Sequence, residues 1–570
     1  MALTLAHVLG GLGHQVARHF AQQQTTLGRL DTGAVIRSDW GVDDPGSTAG
    51  LVALALWTHL VRRQYPAFVS PEPNDATLLH HTFLALAYLE RAQRPSGLTD
   101  LRDCNYDSSP DAGFILQAVL PPLYLARKVP AADSWSEVVA RLSAFAHRMT
   151  EGARTGGFHT PNHRWVIVAA LHLAEGLFPE INVAPTITAY LAEGIDIDED
   201  GFYSERSAGV YDAICARSLY LVADRAGLPC DLRQIVEHNL LADTYLLNAD
   251  GTIETGLSRR QDAGTAPPAT NLAVPYMTAH YHARSDKNKS LFFHTGQWLW
   301  DLTPPDCRDH YAMSQVLLAQ GEPDCAVTAP LLPLAPCIKH FPRAGLWRLR
   351  RGPLSVSVFR DQARLLNLRQ GAACLASVSI HQSYFGVGQF LADEMETNEE
   401  QGGAQVRLVS HGTRNPYRPG YEQPLGRAVA PEQWQETRAL REVRRVPPAA
   451  SELMIEPTDE DVLRLRYRTL GGLDRVTTQI ALDFPAGGVW ETDDTCFAPQ
   501  AGQTIFLKKG YGTMRYGNDG IRIGPGAGAH RMTHMRDAIP VAPGMIRVLI
   551  TFLTPVDHTF AIAGATGPGL

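Results

Sequence analysis

The stretch Thr160-Pro161-Asn162-His163-Arg164-Trp165, followed by the apolar run Val166 to Leu177, decides how the first half of the chain is read. Threonine caps helices, and proline suits the first helical position. Asn162 and His163 then fall in the first turn, where unpaired N–H groups and the positive end of the helix dipole favour an anion. The apolar run behind them marks a helix enclosed by protein. Taken alone, the stretch is a capped core helix with two polar residues at its mouth. It becomes a site only if the rest of the chain supplies partners.

Outward from it, the helical period dominates residues 1 to about 325. Apolar runs at that spacing cover 2–22, 48–64, 76–93, 112–127, 134–150, 161–177, 184–194, 208–225, 231–246, 270–283, 290–300 and 311–320. Asp43-Asp44-Pro45-Gly46, Pro71-Glu72-Pro73-Asn74 and Asp198-Glu199-Asp200-Gly201 break them. No fixed repeat period appears, so helical hairpins in a ring or arc are expected, not a regular solenoid.

Pro330, Pro333 and Pro336 read as a linker, and beyond them the period changes to two. Residues 346–350, 354–359, 365–368, 375–380, 462–467, 476–484 and 546–552 are the expected strands. The expectation is a multidomain α+β chain, helical over 1–328 and an antiparallel β-sandwich over 329–570. The polar, Gly/Pro-rich segment 396–435 reads as a long loop or insertion near the site.

The 570 residues are too many for one core. A content of 45 % hydrophobic and 19 % charged residues belongs to a folded soluble chain, and a net charge of −8 excludes a nucleic-acid partner. No run is long and apolar enough to span a membrane. The N-terminal stretch carries His7, His14, Gln15 and Arg18 instead of an unbroken apolar core, so no signal peptide is expected and the compartment is read as cytoplasmic. Eight cysteines are scattered without a CxxC pair, which excludes a zinc knuckle and a redox motif.

Five groups of residues can carry chemistry. Asn162 and His163 are the first. Asp200-Gly201 with Tyr203, Glu205, Arg206, Ser207 and Tyr211 is the second: a turn, then Ser207 capping a helix that begins near 208, with Tyr211 in its first turn. The polar run containing Asp103, Asn105, Tyr106, Asp107 and Asp111 is the third, either a pocket lining or an exposed turn. Arg259 and Arg260, beside Gln261 and Asp262, are suited to gripping a carboxylate or a sugar. His381, at the end of the strand Ala376 to Ile380, can serve as a general base or a structural histidine, and His340 is a weaker candidate of the same kind.

These segments resemble the heparinase II/III-like polysaccharide lyases. Pro161-Asn162-His163 is similar to that family's Asn-His helix. Asp200-Gly201 with Glu205, Ser207 and Tyr211 is similar to its Asp-Gly…Glu-x-Ser…Tyr segment, with altered spacing. Phe341-Pro342-Arg343-Ala344-Gly345-Leu346-Trp347 looks like the entry to its sheet domain. The resemblance implies an (α/α) toroid followed by antiparallel sheets, and β-elimination at a uronic acid in an acidic polysaccharide or oligosaccharide.

It further implies Asn162 as neutraliser of the substrate carboxylate, with His163 or Arg206 assisting, and Tyr211 as acid and base, with Tyr203 as the alternative tyrosine. His381 or His163 is the alternative base. Glu205, Arg206, Tyr203, Asn105, Tyr106, Asp111, Arg259 and Arg260 are the expected substrate contacts. The family's His-Gly-His-Ala-Asp motif is absent here. No cofactor is needed; a structural divalent metal in the sheet domain follows only by analogy, without supporting ligand spacing. A homo-oligomer is compatible with all this. Two other readings stand beside the lyase: a glycoside hydrolase pairing Glu205 with Asp103, Asp107 or Asp111, and a non-catalytic carbohydrate-binding protein.

Overall fold

The computed structural model describes residues 3–323, 335–385, 388–398, 404–413, 420–458, 462–536 and 538–567. Pro330 and Pro333 of the expected linker lie outside them. Two compact units form, one of Met1–Thr244 with Ser258–Pro333, the other of Tyr245–Leu257 with Leu334–Leu570.

The first unit is helical: α1 (Leu5–Gly10), α2 (Leu12–Ala21), α3 (Pro45–Gln64), α4 (Asp75–Ala92), α5 (Ser109–Lys128), α6 (Ser136–Ala153), α7 (Pro161–Leu177), α8 (Ala184–Ala192), α9 (Tyr211–Val222), α10 (Leu232–Leu246), α11 (Ala273–His282), α12 (Asp286–Leu302) and α13 (His310–Gln320). Consecutive odd-numbered helices from α3 to α13 pack on one another. α13 then packs on α1 and α2, and α2 on α3, which closes the circuit into an (α/α) toroid. The even-numbered α4, α6, α8 and α12 flank it. Helices α3 and α7 are buried along most of their length, as their apolar runs require.

The inner helices run parallel. Gln117, Tyr124 and Arg127 of α5 donate to the carbonyls of Val166, Leu173 and Gly176 of α7 at 3.2, 2.6 and 3.0 Å, so the partners advance in step. Close approach is allowed by Gly113, where an added Cβ would stand 3.0 Å from the Val166 side chain. At the far end of α7, Glu175 pairs with Arg225, which follows α9, at 2.5 Å. The starts of α5, α7 and α9 therefore gather at one end of the ring, with their dipoles' positive ends together.

The helical reading needs two corrections. α9 begins at Tyr211 rather than near 208, because the chain from Asp196 to Val210 spends its hydrogen bonds in turns, including Gly201 N–H to the Asp198 carbonyl. Residues 99–108 form a hairpin, Thr99–Leu101 with Asn105–Ser108, so the polar run 103–111, expected as a pocket lining or an exposed turn, contains a strand; the pair is too short to show a period.

The second unit is a sandwich of an eight-stranded and a nine-stranded sheet. Trp347, Val356 and Ile480 of one sheet and Leu408, Leu465 and Ile562 of the other share a single apolar core. The pairing is antiparallel except where Thr504–Phe506 runs parallel to Met545–Leu553. Segment 396–435, read as a loop, contains the strands Val406–Ser410 and Gly420–Glu422 and the short helix Trp434–Arg438. Tyr245–Leu257 groups with the sheets although its first two residues end α10. Arg348 and Arg350, buried in strand Leu346–Arg351, need acceptors, and the carbonyls of Tyr245 and Leu247 and the Asn248 side chain supply them at 3.1, 2.8 and 3.0 Å.

Candidate active site

The polar residues at the starts of α7 and α9 form one connected network within the helical unit. Asn162, 1 % exposed, gives its backbone N–H to Glu205 Oε2 at 3.1 Å and its side-chain Nδ2 to the same oxygen at 2.7 Å. Nδ2 also donates to Thr160 Oγ1 at 3.0 Å. Thr160 is the N-cap residue but caps nothing with its side chain; the Glu205 carboxylate does that work from another part of the chain. The anion that a helix start invites is thus already present, an internal one. Burial raises the Glu205 carboxyl above its usual range, against the opposing hydrogen bonds from Asn162.

Arg260 links this pair to Tyr211. Its Nε lies 3.3 Å from Glu205 Oε1, and its Nη2 donates to the Tyr211 hydroxyl at 3.3 Å. The guanidinium carbon sits 4.9 Å from the Tyr211 ring centroid. Gln261 Nε2 donates to the same hydroxyl at 3.0 Å. A cationic and a neutral donor aimed at one phenolic oxygen stabilise negative charge on it. The loop is fixed by Asp262, which accepts from Ser207 Oγ at 2.9 Å, from the Gly209 N–H at 3.2 Å and from Ser258. The Arg259 N–H donates to the Glu205 carbonyl at 3.0 Å.

His163 stands one residue on from Asn162, its ring 6.4 Å from those of Phe114 and His159. Its Nδ1 is buried without a hydrogen-bond partner. Desolvation, with His159 and Arg260 nearby, pushes its pKa down to about 4, so the ring is neutral at pH 7.

The other expected contacts divide. Arg206, with φ at +51°, is 3.7 Å from Asp198. Arg259 donates to the Ser204 carbonyl and is otherwise exposed. Asn105 Nδ2 donates to Asp111 at 3.1 Å, where Ser108 also donates, while Tyr106 is 63 % exposed. This group borders a cavity of about 320 Å³ lined by Asp44, Thr99, Asp111 and Phe114. A larger one, about 740 Å³, follows α9, α11 and α13 from Val210 to Gln320 and contains none of the network's side chains.

Two expectations are corrected. Tyr203 is only 2 % exposed, its hydroxyl enclosed without a partner, and burial drives its pKa well up; it is a core residue and contacts no substrate. His381 is the last residue but one of the strand Ala373–Gln382, as expected near its end, but it is fully buried. Its Nε2 accepts from the Ile539 N–H at 3.3 Å and its Nδ1 lies 3.4 Å from Gln479 Nε2. Desolvation, with Arg547 nearby, pushes it down to about 3. A ring enclosed in the sheet, with its acceptor nitrogen taken by a backbone N–H, cannot reach a substrate proton.

Gln261 was not singled out for the site, since glutamine beside a charged pair is common in solvated loops. Among the described residues no group of three or more His, Cys, Asp or Glu is arranged to hold a metal ion. No helix there is long and apolar enough to cross a membrane.

Among solved structures, the chain is similar to a xanthan lyase from Paenibacillus, with a TM-score of 0.56 at 9 % identity over 99 % of this chain and 57 % of that one. It is similar also to a heparinase III with methylated lysines, with a TM-score of 0.50 at 9 % identity over 99 % of this chain and 85 % of that one. The chain has the fold of a heparinase-like polysaccharide lyase. It spans little more than half the length of the xanthan lyase. No protein-family profile and no curated protein matches the sequence. In this lyase fold the network lies where the inner helices of the toroid begin, with their positive dipole ends towards it.

Proposed function

We propose that the chain is a polysaccharide lyase that cleaves a uronic-acid-containing polysaccharide or oligosaccharide by β-elimination. The observation that carries this reading is the Tyr211 hydroxyl, held by Arg260 and Gln261 at the start of α9 and joined through Arg260 to the Glu205–Asn162 pair.

The chemistry follows from those positions. The C5 proton of a uronate is weakly acidic while its carboxylate is charged. Arg260 and the gathered helix N-termini oppose that charge and stabilise the enolate-like transition state. Asn162, whose amide hydrogens go to Glu205 and Thr160, holds Glu205 against Arg260 instead of meeting the substrate itself. Tyr211, as phenolate, takes the C5 proton. The electron pair left at C5 forms the C4=C5 double bond as the C4–O bond breaks. Tyr211 then returns the proton to the leaving oxygen, which requires both groups on one face of the ring. Neutral His163 is the alternative base, since its lone pair is free at neutral pH. The acidic sugar polymer is the substrate class; a hydrolase would need two uncommitted carboxylates, and Glu205 is tied to Asn162 and Arg260.

The test is a panel of uronate polymers and their oligomers, read by the ultraviolet absorbance of the unsaturated uronate. Absorbance gain on at least one member is expected. Cleavage that produces reducing ends without that absorbance would replace the lyase with a hydrolase.

A further inference from the structure

Two carboxyls lie enclosed in the helical unit. Asp212, 1 % exposed, follows Tyr211 in α9; Asp243, not exposed at all, is in α10. Asn239, which lies one turn before Asp243 on the same helix, bonds to Asp212 and so brings the two carboxyls side by side. Its Nδ2 donates to Asp212 Oδ2 at 3.2 Å and to the Gly201 carbonyl at 3.0 Å. Asp212 Oδ1 and both oxygens of Asp243 are buried without a hydrogen-bond partner, and among the described residues neither carboxyl has an ion-pair partner.

Two carboxylates in contact and without a cation cannot both be ionised. One proton between them gives the enclosed oxygens a partner and leaves a single charge. The Asn239 amide donates to Asp212, which marks Asp212 as the charged member and Asp243 as the holder of the proton.

We propose that Asp243 carries a proton which it donates to the Asp212 carboxylate, and that this bond fixes the first turn of α9 and with it Tyr211. Asp243 is a positioning residue and touches no substrate. That part rests on the lyase reading; the shared proton does not. The need for such an anchor is visible in α9, whose cap residue Val210 supplies no side chain. The N–H groups of Tyr211 and Asp212 hang on the Ser207 carbonyl, at 2.8 and 3.1 Å, and the side-chain tie to α10 runs through Asp212.

The surroundings favour a protonated pair. Glu205 and Asp262, the further charged groups acting on Asp212, are both acidic. Tyr203 and Cys215 are enclosed and neutral beside it, with Asp196 acting on both and Arg164 acting on Cys215. Burial, with these groups, raises the pair above the usual carboxyl range, Asp243 the more strongly. A raised folded pKa makes this stabilisation complete at low pH and lost as pH rises through the pair's folded pKa.

The test uses the full chain and three readouts. In infrared difference spectra, wild type shows a protonated-carboxyl carbonyl band that Asp243→Asn lacks. In thermal unfolding between about pH 5 and pH 9, wild type loses stability on the alkaline side, while Asp243→Asn, which donates without titrating, loses less. On a cleaved substrate, Asp243→Asn keeps kcat within about twofold, and Asp243→Ala lowers it about tenfold or more at nearly constant KM. Should the alanine variant not fold, Asp243→Leu, which fills the space without donating, carries the same expectation. An absent band or superimposable pH curves overturn the shared proton. An unchanged kcat in a folded non-donor variant overturns the positioning role. If no uronate polymer is cleaved, the lyase reading has failed; the spectra and unfolding curves still decide the proton, and the NMR ring signals of Tyr211 in wild type and Asp243→Leu still decide whether it moves.

Discussion

Glu205 accepts from both the backbone N–H and the side-chain amide of Asn162, at 3.1 and 2.7 Å on one oxygen. A carboxylate distant in sequence therefore caps the helix that carries Asn162. Removing it leaves two enclosed donors unpaired. Glu205→Ala is expected to lower stability by about 1–3 kcal/mol, read by denaturant unfolding. Glu205→Gln, which keeps an acceptor in place, should lose less. Equal losses for the two would show that charge, not geometry, is what the cap requires.

Tyr211→Phe removes one oxygen and no packing. With the hydroxyl as the proton carrier, kcat on a cleaved uronate polymer should fall by about 10²–10⁴-fold. The melting temperature should stay within a degree or two, because the hydroxyl's partners, Arg260 and Gln261, are partly exposed and can turn to water. Activity near the wild-type level would shift the base to His163.

Helix α7 was legible to its ends, Pro161 and Leu177, because an apolar run between a proline start and Phe178-Pro179 leaves little choice. Its cap was not. Threonine before proline satisfies the local pattern, whereas Glu205 reaches the helix only through the packing of α7 on α9. Tyr203 and Tyr211 illustrate the same limit. Both follow the Asp200-Gly201 turn, and neither spacing nor residue type says that one ring faces the core and the other the Arg260 loop. The Asp212–Asp243 pair was hidden because each aspartate alone looks like an ordinary polar position on a helix. His381 misled in the opposite direction: it does stand near the strand's end, but Gln479 and Ile539 close over it and leave the ring with no exposure.

His381 and His163 are both held neutral by burial, near 3 and 4 respectively. In the unfolded chain they titrate near 6.5, so between these limits the unfolded state binds more protons. Stability then rises with pH across that window and is lost as pH falls through it, by roughly 1.4 kcal/mol per unit for each histidine. His381→Gln keeps an amide in the strand and removes one such term. The acid limb of melting temperature against pH should be shallower in the variant than in wild type. Parallel limbs would mean that His381 is not the enclosed neutral group described here.

Arg260 touches both ends of the network, and its shape decides what a substitution costs. Lysine keeps the charge but not the fork that reaches Glu205 Oε1 and the Tyr211 hydroxyl together. Arg260→Lys weakens the hold on the charge that develops in the transition state, so kcat on a cleaved substrate should fall about tenfold. The Glu205 side supplies a control. Loss of its ion pair alone would lower stability and leave kcat of the folded variant unchanged. A variant with lowered stability and an unchanged kcat would therefore assign Arg260 to holding Glu205, not to the Tyr211 hydroxyl.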